Sequence, residues 1–310
     1  VRLVFFGTPA FAVPSLRALL EEGFDVAAVV TQPDRPHGRS RSVLHPPPIK
    51  REALAEGLDV LQPEHPNTPE FVESLRRWAP DLGIVVAYGH ILKPPLLALP
   101  ARGMINVHAS LLPALRGAAP IQHAVMQGLE ETGITIMQMD TGMDTGPVLH
   151  RVPTPIATDE TAGELEVRLA ELGALALIEA LTLLDADALA AEPQDSSRAT
   201  YAPKLSTEAA RIRWEEPAAQ LARFARALDP HPGAWTALGD RRLKLFGPRG
   251  AGSPPPGTVP GAVLEAGPGL VVATGDGALQ FLDVQPEGKA RIATADWLRG
   301  RGARVGDQFT

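Results

Sequence analysis

Over the first half of the chain, short runs of apolar, β-branched or aromatic residues alternate with segments of helical spacing. That alternation restricts the fold more than any other feature. Residues 2–8 and 25–31 read as strands, and between them VPSLRALLEEG has helical spacing and a glycine stop at Gly23. The pattern continues with a helix near 49–57, a strand at 58–61, a helix at 69–78 and a strand at 82–86. A strand at 103–108, a helix near 119–128 and a strand at 133–139 complete it. Strands alternating with helices predict an α/β fold with a Rossmann-like, doubly wound and mostly parallel sheet. Ligands of such a sheet gather beyond the carboxyl ends of the strands, near a switch in strand order.

A long helix is expected at about 160–185, with Leu165, Leu169, Leu172, Leu175, Ala176 and Ile178 on its apolar face. The stretch AAEPQDSSRATYAPKLS (190–206) is polar and broken by proline, which reads as a linker. Beyond it come one helix (217–227) and five short strand-like runs separated by Gly/Pro turns: AWTAL, RRLKLFG, GTVPGAVLEAG, GLVVATGDG and ALQFLDVQP. Five such strands predict a small OB-like β-barrel. The expected organisation is therefore an α/β domain over 1–189, a linker over 190–206 and a barrel over 207–310.

Composition narrows the chemistry. With no cysteine among 310 residues, disulfides, thiolate catalysis and Cys-ligated zinc are excluded. No apolar run approaches the roughly 20 residues of a membrane span, and no secretory-signal pattern opens the chain, so a cytoplasmic protein is expected. A monomer is the default. Arginine far outnumbers lysine, prolines number 31 and asparagine is scarce; a thermophilic source and a GC-rich genome account for this equally well. The net charge of −7 speaks against a general nucleic-acid binder, yet the negative charge falls on residues 1–206 and the remainder is slightly basic.

The chemistry-bearing stretch lies between Ile105 and Gly146. Asn106, His108 and Ser110 alternate at two-residue spacing, which puts them on one side of a strand or strand end. Asp144 follows downstream in a glycine-rich loop. An amide donor, a titratable base and a carboxylate are the parts of an acyl-transfer site without a covalent nucleophile. No GxSxG elbow surrounds Ser110, so its hydroxyl reads as a holder of the local loop. Asp140 reads as a turn former with Gly142, or as a second acid. His45, His90, His123 and His150 lack metal-ligand spacing, so no metal is expected. The GTPAF segment near the start lacks GxGxxG, which argues against NAD.

The segments FFGTPAFAVPSL, TQPDRPHGRSR, VVAYGHIL, INVHASLLPALRGAAPIQ and TGITIMQMDTGMDTG together resemble the methionyl-tRNA formyltransferases, a branch of the 10-formyltetrahydrofolate-dependent formyltransferase family. YAPKLSTEAARIRW and ALDPHPGAW are similar to that family's linker and C-terminal domain, so the resemblance covers nearly the whole chain. It implies formyl transfer from 10-formyltetrahydrofolate to the α-amino group of methionine on initiator tRNA, with Asn106, His108 and Asp144 as the catalytic trio. The folate is expected in a cleft between 87–92, 110–113 and the 139–144 loop. Ile91, Leu92, Ser110, Leu111, Leu112 and Pro113 then serve as contacts, and Gly142 lets the loop pack close. The resemblance also implies that the arginine-bearing loop 34–45, with Arg35, Arg39 and Arg41, enters the end of the acceptor stem. The barrel would lay Lys204, Arg211, Arg213, Arg241 and Lys244 along the acceptor arm, with Arg223, Arg226 and Arg242 as further candidates. One departure stands out: the family's Arg and aromatic residue after SLLP are Ala114 and Leu115 here. Two other functions compete: formyl transfer to a small acceptor such as an amino sugar or water, and a non-catalytic RNA-binding role.

Overall fold

A computed structural model of the chain describes residues 1–36 and 43–310. The chain divides into two compact units. The first comprises Val1–Pro120, Glu131–Pro155 and Glu166–Ala202; the second comprises Ile121–Glu130, Ile156–Leu165 and Pro203–Thr310. In chain order the first elements are β1 (Arg2–Gly7), α1 (Val13–Glu21), β2 (Asp25–Val30), the short strands β3 (Arg35–Pro36) and β4 (Leu44–His45), and α2 (Pro48–Ala55). Then follow β5 (Val60–Leu61), α3 (Pro69–Arg76), β6 (Leu82–Val86), α4 (Pro94–Leu97), β7 (Met104–His108) and α5 (Pro120–Gln127). Strands β8 (Glu131–Gln138) and β9 (Val148–Pro155) and the long helix α6 (Ala162–Asp185) come next.

Seven of these strands form one sheet in the order β5-β2-β1-β6-β7-β8-β9. Strands β5 through β7 are parallel; β8 runs antiparallel to both of its neighbours. The expected Rossmann-like, mostly parallel sheet is therefore present. Leu3, Val4, Phe5 and Phe6 of β1 are all fully buried, as a central strand covered on both faces requires. Strand order reverses between β1 and β6, and the loops leaving β6 and β7 open at the same carboxyl end.

Local chemistry sets the helix ends. Thr68 caps α3, its Oγ1 accepting from Phe71 N at 3.3 Å. Thr161 and Glu164 form a reciprocal capping box at the start of α6: Glu164 N donates to Thr161 Oγ1 at 3.2 Å, and Thr161 N donates to Glu164 Oε2 at 2.9 Å. The buried face of α6 differs from the expected one. Leu165, Leu169, Ala176, Leu177 and Leu181 are buried, whereas Leu175 is 67% exposed. The helix turns its small residues to the sheet: a Cβ on Gly173 would lie 3.1 Å from Val107 Cγ1.

Strand β9 was not expected from sequence, because Pro153 and Pro155 interrupt its pattern. It lies at the sheet edge, where a missing N–H is tolerated.

The second unit holds α7 (Ala218–Ala227), β10 (Trp235–Leu238), β11 (Arg241–Gly250), β12 (Val263–Ala266), β13 (Leu270–Ala273), β14 (Ala278–Pro286), β15 (Ile292–Ala293) and α8 (Thr294–Arg299). Its antiparallel sheet has the order β10-β11-β14-β13-β12, with β15 added to β14. The last residues join both edges: Phe309 bridges Leu238 and Gln308 bridges Ala262, so the sheet curls in the OB-like manner expected. The third predicted strand shrinks to β12, since Gly257, Pro260 and Gly261 keep the segment before it irregular. The core centres on Trp214. Its ring meets Phe281 edge-on and stacks on Phe309, each at 6.0 Å, and its Nε1 donates to Thr236 Oγ1 at 3.0 Å.

Truncating Phe281, which is 1% exposed, removes one wall of the Trp214 site. Phe281→Ala should destabilise the barrel by about 3–5 kcal/mol. Denaturant unfolding followed by tryptophan fluorescence checks this, and an unchanged midpoint would refute the packing role.

Candidate active site

Strand β7 ends at the carboxyl edge of the sheet and presents Asn106 and His108 from the same side, two residues apart. Asn106 is half-buried between Val85 of β6 and Met137 of β8. His108 is 6% exposed. Its Nε2 lies 3.1 Å from the Leu115 carbonyl oxygen. A carbonyl only accepts, so Nε2 carries the hydrogen and Nδ1 is left facing the Asp144 carboxylate, with Oδ1 3.8 Å away. That separation is ion-pair range, longer than a hydrogen bond.

Asp144 sits in the β8–β9 connection with φ +53, a left-handed conformation uncommon outside glycine. Its Oδ2 accepts from Gly117 N at 2.8 Å. Upstream in the same loop, Asp140 Oδ1 accepts from Gly142 N at 2.9 Å and from Thr145 Oγ1 at 2.7 Å, the turn-forming role expected of it. Gly146 is needed for close approach, because a Cβ there would lie 1.9 Å from the Gln138 carbonyl oxygen.

A cleft of about 200 Å³ opens beside these groups, lined among others by His90, Ile91, Leu92, Asn106, Met139 and Asp144. Gly142 lines it too. Ile91 is 79% exposed and Met143 61% exposed at its lip, so a flat ring entering the cleft meets apolar surface on arrival. The expected cleft residues Ile91, Leu92 and Gly142 are thus brought together with Asn106 and Asp144. The SLLP residues are placed differently. Leu111, Leu112 and Pro113 line a second depression of about 330 Å³ with Arg151 and Glu192. Leu112 packs with Met137 and Val148. The Ser110 hydroxyl donates to the Ala114 carbonyl at 2.6 Å. At the departure after SLLP it is the backbone that contributes: Leu115 has φ +59 and supplies the carbonyl that orients His108.

His90 lines the cleft, and the buried Tyr88 stands next to it. The Tyr88 ring meets Phe6 edge-on at 5.3 Å and stands 5.5 Å from the His90 ring. Its hydroxyl is buried without a hydrogen-bond partner among the described residues, and so is His90 Nε2. Sequence reasoning places their segment, 87–92, at the folate cleft, but it names neither residue as a contact. It also missed Arg116, Gly117 and Gln194, which hold the Asp144 loop from behind.

The basic residues are dispersed. Arg35, on the exposed β3, pairs with Glu64 at 3.3 Å; Arg39 and Arg41 lie outside the described residues. Lys204 is exposed. Arg211 and Arg213 line a depression of about 580 Å³. Arg242 lies over the Trp235 ring at 3.9 Å and Arg211 at 5.4 Å. Arg241 donates to the Gly302 carbonyl at 3.1 Å, and Lys244 is half-buried. Arg223 and Arg226 are half-buried, with Arg226 Nη1 donating to the Glu160 carbonyl at 3.1 Å. Among the described residues no group of three or more His, Asp or Glu side chains is placed to hold a metal ion. No helix there is long and apolar enough to cross a membrane.

Residues 1–181 match the family model described as formyl transferase, and residues 204–302 match the formyl transferase C-terminal domain. The chain is 48% identical over 308 residues to the methionyl-tRNA formyltransferase of Myxococcus xanthus, covering 99% of this chain and 97% of that protein. It is 50% identical over 303 residues to that of Halorhodospira halophila, covering 97% and 96%. The fold is shared with HypX from Aquifex aeolicus, solved in complex with tetrahydrofolic acid, at a TM-score of 0.65 and 19% identity. That match covers 99% of this chain and 48% of HypX, so the chain spans about half of HypX.

Burial raises the pKa of Tyr88 far above the ordinary tyrosine value of 10.0. The phenol therefore stays protonated at pH 10. Its folded pKa exceeds the unfolded one, so the stability it contributes is complete below about pH 10 and falls as pH rises above that. Ultraviolet titration should show the same tyrosinate signal at pH 10 for wild type and Tyr88→Phe. A signal lost in the variant at that pH would mean an accessible phenol.

Proposed function

The chain belongs to the methionyl-tRNA formyltransferase family, and on that footing we propose that Asn106, His108 and Asp144 carry out its reaction. The enzyme transfers a formyl group from 10-formyltetrahydrofolate to the α-amino group of methionine on initiator methionyl-tRNA. The observation that carries the assignment is the meeting of a strand-end amide, a buried imidazole and a loop carboxylate beside one apolar-lipped cleft.

In this reading the amine nitrogen attacks the formyl carbon, and the carbonyl electrons move onto oxygen. The Asn106 side-chain amide donates to that oxygen as negative charge develops, an interaction worth about 3–4 kcal/mol in comparable sites. The new C–N bond leaves a positive nitrogen, whose proton passes to the His108–Asp144 pair. His108 Nδ1 is the free ring nitrogen, and Asp144 Oδ1 faces it at 3.8 Å to stabilise the imidazolium. The Leu115 carbonyl keeps the ring from turning. When the C–N10 bond breaks, the same proton is delivered to the departing folate nitrogen, leaving tetrahydrofolate and formyl-methionyl-tRNA. No covalent bond to the enzyme forms at any step. Ile91, Leu92 and Gly142 hold the folate, while the SLLP turn shapes the loop that carries the Leu115 carbonyl.

For the tRNA, exposed cations of the second unit, Lys204, Arg211 and Arg213, are the contacts we favour, joined by Arg35 and the 37–42 segment with Arg39 and Arg41. The protein is taken to act as a cytoplasmic monomer.

Formyl transfer to initiator and to elongator methionyl-tRNA, for wild type and Asn106→Ala, tests the reading. Wild type should act on the initiator selectively, and Asn106→Ala should lower kcat about 100- to 1000-fold while tetrahydrofolate still binds. Equal use of both tRNAs would remove the specificity assignment. Formyl hydrolysis without tRNA would point to a hydrolase.

A further inference from the structure

Asp144 presents its carboxylate from a backbone conformation that a non-glycine residue adopts at a cost, so something must hold it there. Three bonds converge on the loop. Gly117 N donates to the Asp144 carboxylate. The other two come from a single amide: Gln194 Nε2 donates to the Asp144 carbonyl at 2.9 Å and to the Gly146 carbonyl at 2.7 Å. The amide oxygen of Gln194 is equally engaged, accepting from Arg116 Nε at 3.1 Å and Arg116 Nη2 at 2.8 Å. Two donors and two acceptor sites are all that the amide group has, and all are used. Reversing it would set oxygen against two carbonyls and NH₂ against a guanidinium, so only one orientation is possible.

Arg116 is itself immobilised. It is 3% exposed, and its backbone is laced to the chain beyond Gln194: Arg116 N donates to the Thr200 carbonyl at 2.9 Å, and Ala202 N donates to the Arg116 carbonyl at 2.8 Å. Leu115 N donates to Thr200 Oγ1 at 2.9 Å, so the residue that orients His108 is tied to the same strap. A buried cation behind the amide oxygen polarises the amide and strengthens its N–H donors. No carboxylate within ion-pair distance competes for that guanidinium among the described residues.

We propose that Gln194, braced by Arg116, is a positioning residue for the formyl transfer: it fixes the Asp144 loop so that the carboxylate faces His108. The stretch 194–202 then serves the active site directly, in addition to connecting one part of the chain to the next. The proposal rests on the reading of Asp144 as a catalytic residue, and its test separates the two.

The experiment is a double-mutant cycle on the full-length enzyme with Gln194→Met, Asp144→Asn and the pair, reading kcat and the KM for initiator methionyl-tRNA. Met keeps the length of the side chain and removes all four hydrogen bonds. Gln194→Met should lower kcat about 10- to 100-fold, the effect of a misplaced catalytic group, with KM for the tRNA unchanged. In the Asp144→Asn background the same substitution should cost nothing further, because the group it positions is already gone. Additive losses, a rise in KM alone, or a Gln194→Met rate within about twofold of wild type would each overturn the proposal. Full activity in Asp144→Asn would instead overturn the catalytic reading of that residue. Thermal melting checks folding. Should Gln194→Met not fold, Gln194→Glu decides in its place, since it still accepts from Arg116 but offers the two carbonyls no N–H. The same loss of kcat is expected, and a wild-type rate would sink the idea.

Discussion

The polar atoms around Asp144 find their partners within the protein, and the resulting bonds tie four stretches of chain together. His108 ends β7, Leu115–Gly117 follow it, Asp144–Gly146 leave β8, and Gln194–Ala202 return from beyond α6. Each supplies something the others lack: a ring, a carbonyl and an N–H, a carboxylate, an amide. His108 and Arg116 are the buried members of this set, and leaving either unpaired would cost about 1–3 kcal/mol. Close approach completes it. A Cβ at Gly117, whose φ is +122, would lie 2.7 Å from the Ala202 carbonyl oxygen, so only glycine lets the two segments pair.

This interdependence explains what sequence reveals and what it conceals. The alternation of Asn106 and His108 was legible because a strand has a period of two, and a local period needs no knowledge of the rest of the chain; Ser110 lies beyond the strand. The parallel strands were legible for the same reason, as apolar runs between helical segments. Gln194 was not. It lies among Pro, Asp and Ser residues whose composition reads as a connection, and its importance comes entirely from partners 48 to 78 residues away. The face of α6 was misjudged on related grounds. Counting large apolar residues favours Leu175, yet close packing on β7 and β8 selects Gly173 and its small neighbours, leaving Leu175 in solvent.

The departure after SLLP shows how a site survives the loss of side chains. The family resemblance led us to expect a missing charge and a missing ring at Ala114 and Leu115. In the structure the carbonyl of Ala114 accepts from Ser110, and the carbonyl of Leu115 orients His108. Backbone groups are present whatever the residue, provided the conformation is kept. The requirement therefore shifts from side-chain identity to the left-handed backbone at Leu115, which the Thr200 hydroxyl and the Arg116 strap maintain.

The same distinction between available and committed groups sorts the cations of the barrel. Arg291 lies over Phe246, but its guanidinium pairs with Asp229 at 2.7 Å and Asp283 at 2.9 Å, so its charge is neutralised within the fold. Arg299 pairs with Asp296, whereas Arg241 gives only one N–H to a neutral carbonyl and keeps its charge. Arg211 and Arg242 instead rest against the apolar face of Trp235, which orients a guanidinium without occupying its N–H edge. Among the described residues neither guanidinium is in an ion pair with a carboxylate. Counting arginines in the sequence treats all of these as equivalent, whereas their partners divide them into those that hold the barrel together and those that leave it a charged surface. For a chain whose overall charge is −7, the positive charge left unneutralised on the barrel surface is therefore that of the arginines without such a carboxylate partner.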